Sequence, residues 1–363
     1  MERPESVEAL AALIPRLPHL RLRAGGSKPG LLSPRQSWVT EIDLGAFAGI
    51  VEYTPQECTF TALAATPLRD LDAALAGHGH HLPFDPPLVD AGATIGGTVA
   101  AGINGSCRYR FGGIRDFIIG VRLVDGCGRI LQSGGKVVKN AAGFLLHQAM
   151  VGSCGRLGAL TEVTFKVFPA AEVHATVRVP VDGVAAGLAL MTSLQQTRLD
   201  LEALDLLSSS TVCLRIGGFA EAMPDRLDTV RRAIGSNLDV LEGEDDARVW
   251  REAREFAWAD GAATLVRVPI TPAAIARFDA AVARLDARRR YAVAGNLALA
   301  ATDADPAQVD AVLTPLGLAG QVLRGAAAAP FIGAPIANPV DARLRAVMDP
   351  EGRFSPHALA ATE

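Results

Sequence analysis

The 363-residue chain has only five cysteines, Cys58, Cys107, Cys127, Cys154 and Cys213, and no two of them stand closer than twenty residues. No CxxC occurs. An odd, scattered set argues against a disulfide framework, a zinc site and an iron–sulfur cluster, so any electrons handled here need another carrier. An excess of one charge is also lacking: 35 basic residues stand against 39 acidic ones, a net −4, and the two signs are mixed along the chain. With no basic footprint, nucleic acid is excluded as a partner. No apolar run approaches the ~20 residues that span a bilayer. The N-terminus, "MERPESVEALAALIPRLP", lacks the basic region of a signal peptide and reads as a helix of a mature, cytoplasmic protein. What the chain does have is 49 % hydrophobic residues, on a length that suggests about two domains of ~150 residues each.

No tandem repeat or long linker interrupts it. "GIVEYTP" (49–55) and "CTFTALAAT" (58–66) predict strands, and "PLRDLDAALAGHG" (67–79) a helix closed by glycine. "FIIGVRLVDGCGRILQSG" (117–134) predicts a β-hairpin turning at Asp125-Gly126, and "GALTEVTFKVFP" (158–169) a strand ended by Pro169. Beyond Pro169, strands such as "ATVRVPV", "TVCLRIGG", "ATLVRVPI" and "YAVAGNLALA" alternate with helices over 225–234, 246–259 and 273–288. The expected organisation is therefore α+β: one domain over 1–169, a second over 170–330, and a tail, 331–363, that packs back on the first.

Glycine is concentrated in the first half. "GATIGGTVAAGINGSCRYRFGG" (92–113) holds seven glycines in twenty-two positions, flanked by "RAGGSKPG" upstream and "GSCGRLGAL" downstream. Glycine is costly to order, so three such runs need a reason beyond hairpin turns. Backbone N–H groups converging from positive-φ turns form a nest for anions, as helix N-termini do. "AGGSKPG" adds the Ser27 hydroxyl and the charges of Arg23 and Lys28, and "GATIGG" makes a second nest with Thr94. Two nests in one domain suit a diphosphate, with Arg108 and Arg110 near enough to offset its charge. The spacing fits neither a dinucleotide GxGxxG nor a GxxxxGK[ST] loop.

These three runs, with "LPFDPPLVDAGATIGG" and "GGKVVKNAAGFLLHQAMVGSCGRLGALTEVTFKV" around them, resemble the PCMH-type FAD-binding domain of the vanillyl-alcohol oxidase superfamily. Within it they are similar to the family of FAD-binding E subunits of bacterial glycolate oxidase. A weaker likeness continues through "VWREAREFAWADGAATLVRVPI" and "RLRAVMDPEGRFSP". The resemblance implies an FAD-binding domain over 1–169 and an α+β cap over 170–330. It further implies that Arg23, Gly25, Gly26, Ser27 and Lys28 form a first pyrophosphate loop. Pro87, Thr94, Gly96, Gly97, Ala101, Gly102 and Gly105 match a second. Arg115, Asp116 and Ile118 match a segment closing over the ribityl and adenine side, and Gly152, Ser153, Gly155, Leu157, Gly158 and Val163 the third turn and its strand. It implies FAD-dependent oxidation of a small 2-hydroxy acid such as glycolate or D-lactate, together with a catalytic flavin subunit and an iron–sulfur subunit that could also bring membrane association. Another flavin oxidase or reductase on this fold, or a non-catalytic FAD-holding assembly subunit, remain as alternatives.

Several residues have competing readings. Ala24 and Gly25 stand where a flavin-linking histidine would be expected, and Cys107 does not match a linking cysteine, so the FAD is expected to be non-covalent. His78, His80 and His81 read as a solvated turn rather than a metal site. Lys139 and Asn140 match a segment that approaches the flavin, or simply face solvent. Arg215 and Arg267 sit in apolar strands and need anionic partners, a structural Asp or Glu being favoured over a substrate carboxylate. Cys154, Arg156 and Phe144 depart from the family pattern, as does the "SPHALA" ending. No catalytic residue is assigned; His174 is the one histidine of the cap, and it lies at the domain boundary.

Overall fold

Which faces are apolar decides the layers. The computed structural model describes residues 1–32, 36–135, 145–208, 210–235, 237–335 and 339–354. Ser6 caps α1 (Val7–Leu13) by accepting from the Ala9 amide at 3.0 Å. The helix buries Leu10 against β1 (Leu20–Arg23) and β2 (Thr40–Asp43), which pair in parallel. Both predicted strands form, as β3 (Ile50–Thr54) and β4 (Thr59–Leu63), and lead into α2 (Leu68–Ala76). After β5 (His80–His81) comes α3 (Ile95–Ala101), built from the central glycine run. Thr94 caps it by accepting from the Gly97 amide, and Gly102 at φ +66° ends it in the left-handed conformation that glycine reaches without strain. Short helices α4 (Arg108–Phe111) and α5 (Ile114–Phe117) lead to the hairpin of β6 (Ile118–Val124) and β7 (Ile130–Gly134). Its turn is held by Asp125 Oδ1, which accepts from the amides of Cys127 and Arg129. After α6 (Leu146–Ala149), β8 (Ala159–Lys166) completes an antiparallel sheet in the order β3-β4-β8-β6-β7, and β9 (Phe168–Pro169) pairs with β5.

The sheet changes after Pro169. From β10 (Val173–Pro180) onward the strands build an antiparallel nine-stranded sheet. They alternate with α7 (Gly183–Gln195), β11 (Ala203–Leu207), β12 (Thr211–Gly218), α8 (Met223–Ile234), β13 (Asp239–Glu242) and α9 (Gly243–Arg254). Next come β14 (Thr264–Pro269), α10 (Pro272–Val282), β15 (Arg288–Ala292), β16 (Leu297–Thr302), α11 (Pro306–Leu313), β17 (Ala319–Arg324) and β18 (Phe331–Gly333). The strand order is β13-β10-β12-β11-β15-β16-β14-β17-β18. Side chains alternate across a strand, and here the alternation separates two cores. Val266, Ala298, Ala300 and Val322 pack with the helices on one face. Leu265, Leu299, Ala301 and Leu323 turn the other way, into a cluster shared with Phe60, Phe84 and Phe165 of the N-terminal half. The two halves meet over an apolar face, not a linker.

The C-terminal helix α12 (Pro339–Met348) returns to the first half: the Gly126 amide donates to the Met348 carbonyl at 2.7 Å, and Phe354 is buried beside Leu10 and Leu20. β18, by contrast, is an edge strand of the cap sheet. Among the described residues no helix is long and apolar enough to cross a membrane.

Three local expectations are corrected. "YAVAGNLALA" is not one strand but the end of β15, a turn and the start of β16, with Val293, Ala294 and Gly295 of the turn all at positive φ. The helix expected over 246–259 stops at Arg254, because Phe256 takes φ +56°. The histidine run is a solvated turn only at His78, which is exposed; His80 and His81 form β5, which pairs with β9, with His80 Nδ1 2.6 Å from the Tyr53 hydroxyl and His81 packed edge-on against Phe111.

Candidate functional site

All three glycine runs open onto one cleft. The first contributes Arg23, Gly25, Gly26, Ser27 and Lys28; the second contributes Thr94, Gly96, Gly97 and Ala101; the third contributes Gly155 and Gly158. The cleft holds about 1140 Å³ of space free of protein atoms, counting the part open to solvent. Close packing of bare backbone makes the convergence possible. A Cβ on Gly25 would lie 2.0 Å from the Gly92 carbonyl oxygen, so the first run rests directly on the start of the second.

The donors are not distributed as expected. The amides of Gly25, Gly26, Ser27 and Lys28 donate to no protein acceptor among the described residues, and Gly26 takes φ +67°. These donors are left open, as an anion nest requires. At the second run the amides are already engaged: Ile95 donates to Thr66 O at 3.0 Å, Gly96 to Ala64 O at 2.7 Å and Gly97 to Thr94 Oγ1 at 3.2 Å. That run supplies a bare surface for close approach rather than a second nest, because the start of α3 is pinned to the turn after β4.

Cations complete the first loop. Lys28 is only 7 % exposed, its Nζ lies 3.1 Å from Ser27 Oγ, and no carboxylate among the described residues is within ion-pair reach. Burial pulls its ammonium down to about 8, against a weak opposing pull from Glu255. Arg21 and Arg23 share Glu41, and Arg156 lies over the Phe331 ring at 5.5 Å. Among the described residues no Asp or Glu lines the cleft. Free amides, a buried cation and the lack of any carboxylate in the lining fit a diphosphate. Leu22, Leu31, Leu44, Leu160 and Phe354 fit the flat apolar rings that a dinucleotide would carry.

Other predicted residues lie elsewhere. Arg115, Gly152, Ser153 and Leu157 line a neighbouring groove, where Ser153 Oγ is buried without a partner among the described residues. Pro87 and Gly105 line a third pocket, against the cap. Gly102 packs on Gly152, Asp116 closes α5 by accepting from the Gly113 amide at 2.7 Å, and Ile118 and Val163 are buried in the sheet. Arg108 and Arg110 do not line the cleft: α4 turns toward the cap, where Arg110 meets Asp200 at 2.6 Å. Lys139, Asn140, Phe144 and the "SPHALA" ending lie outside the described residues. Cys154 and Arg156, departures from the family pattern, both line the cleft, whereas Cys107 is buried away from it.

In the cap, Arg215 has the expected structural partner, with Nη2 2.7 Å from Asp246 Oδ2. Arg267 has no acidic partner among the described residues, which corrects the expectation of one; its Nη1 donates to Gln321 Oε1 at 3.4 Å. His174 bonds Glu202 at 3.2 Å. Sequence reasoning missed Asp85, which lines the same pocket as Arg267 and sits at φ +49°; no sequence signal places the two together.

Comparison with known proteins adds the following. A family described as the FAD binding domain matches residues 2–134. The chain is 36 % identical to glycolate oxidase subunit GlcE of Escherichia coli over 217 residues, 59 % of this chain and 58 % of that protein. It is 29 % identical to a mitochondrial cytochrome-type D-lactate dehydrogenase of Saccharomyces cerevisiae over 273 residues, 67 % of this chain but 46 % of that protein. The matches thus span about half the length of these relatives. Among solved structures, alkyldihydroxyacetonephosphate synthase superposes with a TM-score of 0.69 over 98 % of this chain and 76 % of its own, at 14 % identity, a likeness of fold alone.

Proposed function

We propose, from the premise that residues 2–134 are an FAD binding domain of the PCMH type, that this chain is a subunit that holds FAD non-covalently and serves the oxidation of a small 2-hydroxy acid. The observation that carries the cofactor part is a cleft with no Asp or Glu among its described lining residues, in which the amides of Gly25, Gly26, Ser27 and Lys28 are unengaged and the Lys28 side chain is buried. In this reading the amides of Gly25, Gly26, Ser27 and Lys28 hold the diphosphate, with Lys28 and Arg23 offsetting its charge. Gly96 and Gly97 let it approach α3, and Gly155 and Gly158 close the far side. When bound, FAD supplies a reversible two-electron acceptor. Leucines along β1 and β8 exclude water from its rings. Ala24 and Gly25 leave no histidine for a covalent link.

The 2-hydroxy acid, glycolate or D-lactate, is supported by the names of the two relatives. The word subunit in one of them supports a multi-subunit complex; that its other members are a catalytic flavin subunit and an iron–sulfur subunit is part of the proposal and rests on the family resemblance alone. The same word also favours a second reading, in which this chain relays electrons or only holds FAD for assembly.

The test is a visible spectrum of the desalted protein. A flavin spectrum, with the yellow colour left in the supernatant after acid precipitation, is expected; colourless protein that takes up no FAD would end the proposal. Bleaching by glycolate or D-lactate in the isolated chain supports catalysis here, and bleaching only after the partner subunits are added supports the relay.

A further inference from the structure

The end of α3 is held from two sides. A helix leaves its last carbonyls without partners of its own, and here three of them find donors far along the chain. The Val99 carbonyl accepts from the Gly152 amide at 2.9 Å and the Ala100 carbonyl from the Cys154 amide at 2.8 Å, which fastens the second glycine run to the third. The Ala101 carbonyl takes its donor from the cap: Gln321 Nε2, on β17, lies 3.0 Å away. The same nitrogen is 3.8 Å from Cys154 Sγ. Ala101 and Cys154 both line the FAD cleft.

The place calls for a side-chain amide. Gln321 is 4 % exposed and stands between Ala101 and Arg267, its cross-strand neighbour on β14. Arg267 Nη1 donates to Gln321 Oε1 at 3.4 Å. A guanidinium only donates and a carbonyl only accepts, so a group bonded to both must do the two in turn, which an amide does and a carboxylate or an ammonium does not. The same strand meets the remaining glycine run through its backbone: a Cβ on Gly30, at the end of "AGGSKPG", would stand 2.7 Å from the Val322 carbonyl oxygen. On the next strand Phe331, opposite Gln321, carries Arg156 over its ring. Cys154 and Arg156, the two residues of the third turn that depart from the family pattern, are thus both met by the cap.

We propose that Gln321 is a positioning residue for the cofactor: from the cap it sets the end of α3 and the third glycine turn at the spacing the cleft requires, so that FAD binding is coupled to docking of the cap. The inference rests on the FAD reading above and adds to it a residue outside all three glycine motifs. Gln321 does not line the cleft and acts through Ala101 and Cys154. Without its donor the buried Ala101 carbonyl is left unpaired, and the penalty falls on the wall of the cleft. Coupling is reciprocal, so bound FAD steadies β17 in return.

The experiment uses the full chain stripped of flavin, and follows FAD binding by quenching of flavin fluorescence and unfolding by urea. Gln321→Met fills similar space without a donor and should weaken FAD by about tenfold or more. Gln321→Glu keeps an acceptor for Arg267 but offers Ala101 no donor, and should weaken FAD as well while the flavin-free protein resists urea at least as well as the methionine variant. Val309→Ala, in the core on the other face of the cap sheet, is the control. It should lower the urea midpoint and leave FAD affinity unchanged. FAD should also slow hydrogen exchange over 319–324 in the wild type, and do so less in both Gln321 variants, a coupling that a residue merely filling the interface does not carry. Either Gln321 variant binding FAD like the wild type overturns the proposal, as does a Val309→Ala protein that loses as much affinity, or wild-type exchange over 319–324 that FAD leaves unchanged. The glutamate variant and the wild-type exchange decide should the methionine variant fail to fold. A wild type that takes up no FAD ends the FAD reading and this inference together, whereas a yellow wild type with unaffected variants ends this inference alone.

Discussion

Lys28 stands in a recognisable motif, "AGGSKPG", yet its chemistry comes from burial. Its folded value of about 8 lies below the ordinary 10.5. Between these values the unfolded chain binds the extra proton, so the stability of the flavin-free protein rises with pH across the window. The cost of the charged form is carried in full below about 8. A diphosphate at the loop stabilises the charged form and moves the group back up. Binding of FAD just above pH 8 should therefore take up a proton, which calorimetry in two buffers of different ionisation heat reads directly; proton release would contradict the assignment. Lys28→Met should weaken FAD by about 10- to 100-fold, the equivalent of about 1.5–3 kcal/mol for a charge-assisted hydrogen bond, as checked by equilibrium dialysis. Arg267 shows the opposite case. It reads in sequence like Arg215, a lone cation in an apolar strand, and only the neighbours brought by folding separate them.

Elements were legible where local chemistry decides them. The hairpin of β6 and β7 follows from two apolar runs around Asp125-Gly126, and α2 from apolar spacing closed by glycine. The β15–β16 turn was not legible, since Val293 and Ala294 are poor candidates for positive φ and are held there by the pairing of both strands. The glycine loops fall between these cases. Their composition announces an unusual backbone, but which glycine is indispensable depends on what it touches. Gly25→Ala forces a Cβ to 2.0 Å from the Gly92 carbonyl, and should cost about 1–3 kcal/mol by overpacking along with most of the FAD affinity. Gly77→Ala, at φ −59° with no atom nearer than 3.6 Å to the added carbon, should stay within about 0.5 kcal/mol of the wild type. Urea unfolding of the two variants makes the comparison.

At the scale of the whole molecule the cap is held to the FAD domain by shared core and buried polar links. Asp205, fully buried in the cap, accepts from Ser106 of the FAD domain at 2.5 Å, from Arg290 at 2.7 Å and from the Val293 amide at 3.1 Å. Asp205→Ala leaves Arg290 buried and unpaired and should cost about 3–5 kcal/mol, read as a lowered urea midpoint by tryptophan fluorescence. Glu255, just past α9, adds a second link by accepting from the amides of Asp90 and Ala91. By itself the sequence determined that the first half carries glycine-rich loops suited to a diphosphate, that strands and helices alternate beyond Pro169, and that cations lie within apolar strands. Only the tertiary structure decided which amides remain free, since the donors of the second run are taken by Thr66, Ala64 and Thr94. It also decided which cation has no acidic partner among the described residues, Arg267 rather than Arg215. The physical reason is that turn and strand preferences act between near neighbours in the chain, whereas the satisfaction of a donor or a charge depends on groups that folding brings from far along it.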